Sequence, residues 1–103
     1  QPSILGNGID PGTGCNLDDY KLSPDFSGKL FAEVLKMYNK TTIETANEKR
    51  VFYVDLAALL PPRNDNYYDC CHYSNRGCKI VAQIIYDQSL DYLKANFASS
   101  IKH

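Results

Sequence analysis

The feature that most constrains this chain is a single short run of β-branched and aromatic residues, Val51 to Asp55. Its apolar side chains fall on both faces, which is typical of a buried parallel strand. Such a strand needs hydrogen-bonded neighbours on both sides, and the chain offers only one other candidate, a stub at residues 1–5. We therefore expect part of a larger α/β domain that lacks its N-terminal portion, with partner strands supplied by a second chain or a symmetry-related copy. The chain begins with Gln1 rather than Met, so we expect a processed or truncated product.

The rest of the chain divides into loops and two helices. Residues 1–27 contain repeated Gly and Pro and are predicted to form a long loop. Apolar residues at three- and four-residue steps predict helices over residues 27–49 and 75–96. A polar loop is predicted over residues 61–72. With the strand at 51–55, the order helix, strand, loop, helix is that of an α/β domain.

Charge and hydropathy exclude two broad classes of protein. Eleven Lys+Arg against twelve Asp+Glu give a net charge of −1, whereas a general nucleic-acid binder needs a basic surface that displaces counterions. No apolar run approaches the roughly 20 residues that cross a bilayer, so we expect no membrane span. With 103 residues, the chain is one domain or a piece of one.

The cysteines Cys15, Cys70, Cys71 and Cys78 are an even number in a short chain, which favours disulfides in an oxidising compartment. The sequon at Asn39 agrees with that compartment, so we expect a secreted or periplasmic protein. A bridge between the adjacent Cys70 and Cys71 would distort the peptide, and we favour a bridge from one of them to Cys78. Cys15 would then pair with the other cysteine or outside the chain.

The most informative stretch is the loop before the second helix, which contains Asp69 and His72. A turn with this spacing can bring the carboxylate to one imidazole nitrogen and leave the other nitrogen outward with raised basicity. These two groups are the base and the orienting acid of a hydrolytic triad that lacks its nucleophile. The spacing alone is better explained by a turn-forming Asp beside a surface His.

Residues 51–90 resemble the C-terminal part of an SGNH (GDSL-type) hydrolase. In that family a strand ending in Asp-Leu is followed by a loop, an Asp-x-x-His block and a capped helix with an early Gly. The N-terminal stretch resembles the family too, as the tail of its central strand followed by a Gly- and Asp-rich loop and an amphipathic helix. The matching residues are Gln1-Pro2-Ser3, Val54-Asp55-Leu56, Asp69-x-x-His72, Asn75-x-Gly77 and Val81-Ala82-x-x-Ile85.

The resemblance implies a flavodoxin-like three-layer α/β/α sandwich and ester hydrolysis through an acyl-enzyme, with no cofactor and no metal. By resemblance, His72 is the general base and Asp69 orients it. The family's Gly-Asp-Ser nucleophile block, its oxyanion-hole Gly and its Gly-x-Asn-Asp block are absent from the chain. The partner we expect is therefore the serine-bearing N-terminal portion of the same hydrolase, and the chain should be inactive alone. The implied substrates are carbohydrate or lipid esters.

Two other functions stay open from the residues. Cys70, Cys71, His72 and Cys78 are zinc-ligand types, although the usual Cys-x2-Cys spacing is absent and adjacent ligands strain a tetrahedral centre. The second is a small secreted, disulfide-stapled binding protein without catalysis. Such a protein would have to bury its own core within 103 residues.

Two features beside His72 have more than one interpretation. In one interpretation, a disulfide between Cys71 and Cys78 would hold the turn that contains His72 against the start of the helix. In the other, the disulfide would only stabilise the fold and would have no effect on catalysis. Tyr67, Tyr68 and Tyr73 line a sugar- or acyl-binding cleft in one interpretation and are partly buried packing residues in the other.

Overall fold

In the computed structural model, which describes residues 1–100, two long helices are joined by irregular segments and preceded by a small hairpin. We number strands and helices in chain order. The elements are β1 (Lys21–Ser23), β2 (Phe26–Ser27), α1 (Gly28–Lys49), α2 (Leu56–Leu59) and α3 (Asn75–Phe97), with single 3₁₀ turns at Asn64–Asn66 and Ala98–Ser100.

Both long helices lie where the sequence places them, and their ends agree with the two predicted ranges to within one residue. Each helix begins at a serine cap. The Ser27 Oγ accepts a hydrogen bond from the Leu30 N–H (3.2 Å), and the Ser74 Oγ accepts one from the Gly77 N–H (3.1 Å). These oxygens satisfy first-turn donors that have no partner within the helix, so they fix where α1 and α3 start.

The predicted strand over residues 51–55 is not formed. The segment is irregular, and no other segment within residues 1–100 pairs with it. The backbone N–H groups of Phe52, Tyr53 and Val54 donate no hydrogen bond to any described residue. A strand needs a neighbour that accepts its backbone hydrogen bonds, so an apolar pattern alone does not produce one.

The N-terminal loop, predicted to be irregular over residues 1–27, is partly ordered. β1 and β2 pair as an antiparallel hairpin in which Lys21 lies opposite Ser27. Ile9 and Asn16 form a further isolated bridge. β1 is three residues long and β2 is two residues long. Strands this short do not show an alternation of apolar and polar residues from which they could be predicted.

The three-layer sandwich stays a prediction. The only sheet within residues 1–100 has two antiparallel strands, β1 and β2, and contains no parallel pair. A parallel sheet is covered by helices on both faces, so a sandwich would need its sheet from outside these residues.

The described residues form a thin layer with little core. Their buried hydrophobic residues are Leu5, Leu17, Leu60 and Tyr67. The radius of gyration is 16.4 Å, whereas about 13 Å is typical of a compact chain of this length. The accessible surface is 7456 Å², against about 5,800 Å² expected for a folded monomer of this mass. Along its shortest axis the molecule measures only 16 Å.

Both long helices keep large apolar side chains in contact with water. Met37 and Tyr38 on α1 are 69% and 70% exposed, and Tyr86 on α3 is 60% exposed. Covering such surface stabilises a protein by roughly 25 cal/mol for each Å² of apolar area. Nevertheless, within residues 1–100 neither long helix is apolar enough over a sufficient length to cross a membrane.

We expect the Phe52, Tyr53 and Val54 amides of the 103-residue chain to exchange with solvent almost as fast as in an unfolded peptide, because no acceptor within residues 1–100 bonds to them. In a longer protein that includes the N-terminal portion, the same amides should be protected. Hydrogen exchange read by mass spectrometry or NMR measures both, with mid-helix amides of α1 as the protected reference. Strong protection of these three amides in the 103-residue chain would contradict the expectation.

Candidate active site

The loop before α3 is folded back onto the start of that helix. The Ser74 N–H donates to the Asn66 carbonyl (3.0 Å), and the Ser74 Oγ donates to the Asp65 carbonyl (2.6 Å). Gly77 is packed against the same backbone, since a Cβ there would lie 1.9 Å from the Asn66 carbonyl oxygen. Asn66 is fully buried, and its Nδ2 donates to the Pro61 carbonyl. The start of α3 therefore holds the loop in a defined place.

A short antiparallel turn at the end of this loop contains both predicted site residues. Tyr67 and Tyr73 pair as an isolated β-bridge, and the Tyr68 N–H donates to the His72 carbonyl (3.0 Å). Asp69 lies at the tip of the turn, and His72 lies on its returning arm. A three-residue spacing brings the two side chains together because the backbone reverses between them.

The carboxylate of Asp69 is held by three donors. Its Oδ1 accepts hydrogen bonds from the backbone N–H groups of Cys71 (2.9 Å) and His72 (2.7 Å). Its Oδ2 lies 2.6 Å from the His72 Nδ1. The two backbone N–H groups, and to a smaller extent the imidazole, lower the pKa of Asp69 from 3.8 to about 2. Asp69 is therefore ionised at neutral pH. We call Asp69 and His72 the dyad.

The contact with Asp69 sets the tautomer of His72. An ionised carboxylate only accepts hydrogen bonds, so we assign the imidazole proton to Nδ1, which donates it to Asp69. The Nε2 then has a free lone pair and makes no hydrogen bond to any residue within 1–100. The His72 side chain is 63% exposed. The dyad thus has the arrangement of a general base with its orienting acid.

Two contributors to this arrangement were not predicted from the sequence. The Tyr68 ring stacks on the His72 imidazole, with centroids 5.6 Å apart and planes 17° from parallel. The backbone N–H groups of Cys71 and His72 bind Asp69 as in an Asx turn. An Asp in a turn favours bonds to the N–H groups two and three residues later, so this second contributor had a readable signal.

A cleft of about 640 Å³ lies beside the turn, between the loop at residues 10–17 and the segment at 64–70. Tyr67, Tyr68 and Asp69 are among its lining residues. Of the three tyrosines that the sequence suggests as a cleft lining, two therefore lie on this cleft and the third does not. Its walls are otherwise a mixture of apolar and polar side chains, and His72 is not among the lining residues.

All four cysteines are free thiols in the structure. None of the predicted pairings is formed, the bridge to Cys78 included, so the connectivity stays a prediction. Burial, and then the neighbouring Cys70, raises the pKa of the Cys71 thiol to about 11. A thiol with this pKa is protonated at neutral pH and is a poor nucleophile.

The four zinc-ligand types suggested by the sequence are not gathered in one place. Within residues 1–100, ligand atoms of Asp69, Cys71 and His72 lie within 4.8 Å of one another, and neither Cys70 nor Cys78 belongs to that group. The group that does form includes both members of the dyad.

Comparison of the chain with protein-family models, with curated proteins and with solved structures found no match. The resemblance to SGNH hydrolases therefore depends on the residues quoted in the sequence analysis, and the fold and activity that it implies stay predictions.

We expect the Asp69 carboxyl to titrate near pH 2 in a carbon-13 NMR experiment, because two backbone donors favour its ionised form. Its ionised form stabilises the folded turn above the ordinary pKa of 3.8, and this contribution is lost as the pH falls through about 2. In His72→Ala the pKa should rise only part of the way towards its ordinary value, since both backbone donors remain. An ordinary pKa in the unmodified chain would show that the turn is not formed.

Gly77→Ala should displace the loop from α3, because the added Cβ would overlap the Asn66 carbonyl oxygen. We expect the free energy of unfolding to fall by about 1–3 kcal/mol, even though Ala favours a helix over Gly by about 1 kcal/mol. Asn75→Ala, at an exposed position of the same first turn, is the control and should change stability by less than about 0.5 kcal/mol. Denaturant unfolding followed by circular dichroism compares the two, and equal stability would refute the close contact.

Proposed function

We propose that this chain is the C-terminal part of a serine ester hydrolase and supplies the histidine and aspartate of its Ser-His-Asp triad. The serine-bearing N-terminal portion of the same hydrolase, joined to the chain or separate from it, completes the site. Its substrates are carbohydrate or lipid esters. The observation that carries the proposal is the 2.6 Å contact between the His72 Nδ1 and the Asp69 Oδ2, which leaves Nε2 free to act as a base.

The reaction begins with a serine hydroxyl within hydrogen-bond reach of the His72 Nε2. As the serine oxygen attacks the ester carbonyl, Nε2 takes the hydroxyl proton, and the ionised Asp69 stabilises the resulting imidazolium. Collapse of the tetrahedral intermediate releases the alcohol, which receives that proton from Nε2. Water then attacks the acyl-enzyme with the same nitrogen as base, and it yields the acid and free serine.

The nucleophile comes from outside the described residues in this proposal. The Ser74 hydroxyl caps α3 and donates to the Asp65 carbonyl, so it is occupied. The Ser3 hydroxyl donates to the Cys70 carbonyl. Among residues 1–100 no serine oxygen is hydrogen-bonded to His72, which agrees with a serine on the N-terminal portion.

The shape of the chain supports a partner of this kind. The accessible surface of 7456 Å² exceeds that of a compact monomer of this mass by about 1,700 Å². A standard protein interface covers about 800 Å² on each partner, so the excess is enough for a large interface. Strands added beside residues 51–55 would also accept the backbone hydrogen bonds of Phe52, Tyr53 and Val54.

The large accessible surface also disfavours the alternative function, which is a small secreted binding protein without catalysis. Such a protein would have to bury its own core, and disulfides would compensate for a small one. Only four hydrophobic residues are buried within residues 1–100, so these residues do not contain the core that such a protein needs. We therefore favour the hydrolase.

A protein that contains this chain and its N-terminal portion should hydrolyse p-nitrophenyl acetate and should be labelled by a fluorophosphonate at one serine. We expect Asp69→Asn to lower kcat by about 10⁴-fold and His72→Ala to lower it by at least as much, since each removes part of the proton-transfer unit. Rates are measured at saturating substrate.

Asp91→Asn, which removes an exposed carboxylate from α3, is the matched control and should leave kcat within about twofold of the unmodified rate. Circular dichroism of each variant separates loss of the base from loss of the fold. Undiminished hydrolysis and labelling in a folded His72→Ala variant would remove His72 from the mechanism.

A further inference from the structure

Three metal-ligating atoms are gathered around the Nδ1 side of His72. The Asp69 Oδ2 lies 2.6 Å from Nδ1, and the Cys71 Sγ lies 3.8 Å from it. All three ligand atoms are within 4.8 Å of one another. Asp69 and His72 are exposed and Cys71 is half-buried, so an ion can reach the group from solvent.

One of these distances is close to that of a tetrahedral zinc centre, and the other is shorter. Zinc binds thiolate sulfur at about 2.3 Å and imidazole nitrogen or carboxylate oxygen at about 2.0–2.2 Å, so tetrahedral neighbours are separated by about 3.4–3.6 Å. The sulfur-to-nitrogen distance of 3.8 Å nearly meets this value, although Cys71 and His72 are adjacent in sequence. The oxygen-to-nitrogen distance of 2.6 Å would have to widen by about 0.8 Å. A side-chain rotation at the tip of a turn can supply that change.

We propose that Asp69, Cys71 and His72 form an inhibitory zinc site that switches off the dyad. The three residues supply a carboxylate oxygen, a thiolate sulfur and the His72 Nδ1, and water takes the fourth position. A thiolate with an imidazole selects zinc over magnesium or calcium, which prefer oxygen ligands. Zinc binding by these residues does not depend on the proposed function, whereas the inhibitory effect of zinc rests on that function.

Zinc and the active dyad exclude each other because both use the same ring nitrogen. In the active form Nδ1 carries a proton and donates it to Asp69, so Nε2 has the lone pair. When zinc binds Nδ1, the neutral imidazole keeps its proton on Nε2, which can then no longer accept one from a serine. The Cys71 thiol gives up its proton to solvent, so binding releases one proton for each zinc ion.

The binding test uses the 103-residue chain with a reductant that keeps its thiols free. Cobalt(II), a spectroscopic substitute for zinc, should produce a sulfur-to-cobalt absorption band that added zinc abolishes. The band should disappear in Cys71→Ser and His72→Ala and persist in the matched controls Cys15→Ser and Cys78→Ser. No band in the unmodified chain, or a band that persists in Cys71→Ser, would overturn the site.

The inhibition test uses the protein completed by its N-terminal portion, with each variant compared with its own rate in the absence of zinc. Zinc should inhibit the unmodified protein, and Cys71→Ser should raise the half-inhibiting concentration at least tenfold. Equal zinc sensitivity in Cys71→Ser would overturn the inhibitory role. A completed protein that binds zinc through Cys71 but hydrolyses no ester would uphold the site and reject the proposed function, so the two failures are distinct.

Discussion

The carboxylate of Asp69 organises the whole candidate site. One of its oxygens accepts two backbone N–H groups and so closes the turn, while the other oxygen holds the His72 imidazole in a single tautomer. The bonds that shape the backbone and the bond that prepares the base therefore belong to one ionised group. Removing its charge would loosen the turn and release the ring together, so the local fold and the proposed chemistry cannot be separated by a change at this position.

The hydrogen bonds that form the turn come from nearby residues, whereas the described residues around the turn lack a full hydrophobic core and a full sheet. α3 holds the loop through Ser74 and through the close approach at Gly77, and these contacts lie within one continuous stretch of chain. By contrast, no strand from the described part of the chain lies beside residues 51–55, and few hydrophobic side chains are buried there. The proposed function therefore places its base on a turn held by local contacts and its serine on another part of the molecule.

Features that depend on neighbouring residues could be predicted from the sequence. α1 and α3 follow from apolar periodicity and serine caps, both of which act within a few residues. The contact between Asp69 and His72 follows from their three-residue spacing in a turn. Features that depend on distant partners could not be predicted in the same way. The segment at 51–55 has the composition of a strand, but pairing requires a second strand, and residues 1–100 do not provide one.

The cysteines and the aromatic residues of the site also show that residue type alone does not predict which side chains meet. Residue types alone suggested zinc ligands at Cys70 and Cys78, whereas the geometry gathers Asp69 with Cys71 and His72 instead. The stacking of Tyr68 on His72 depends on how two arms of a turn face each other, and composition does not specify that. A spacing of residues therefore predicted the contact between Asp69 and His72, and only the three-dimensional arrangement revealed what surrounds it.

The most direct test of this account is the tautomer of His72, read from the nitrogen-15 NMR shifts of its ring at a pH where the imidazole is neutral. The account predicts a proton on Nδ1 and a bare Nε2, and predicts that Asp69→Asn abolishes this preference. A proton on Nε2 in the unmodified chain, or a ring that averages between the two tautomers, would contradict it.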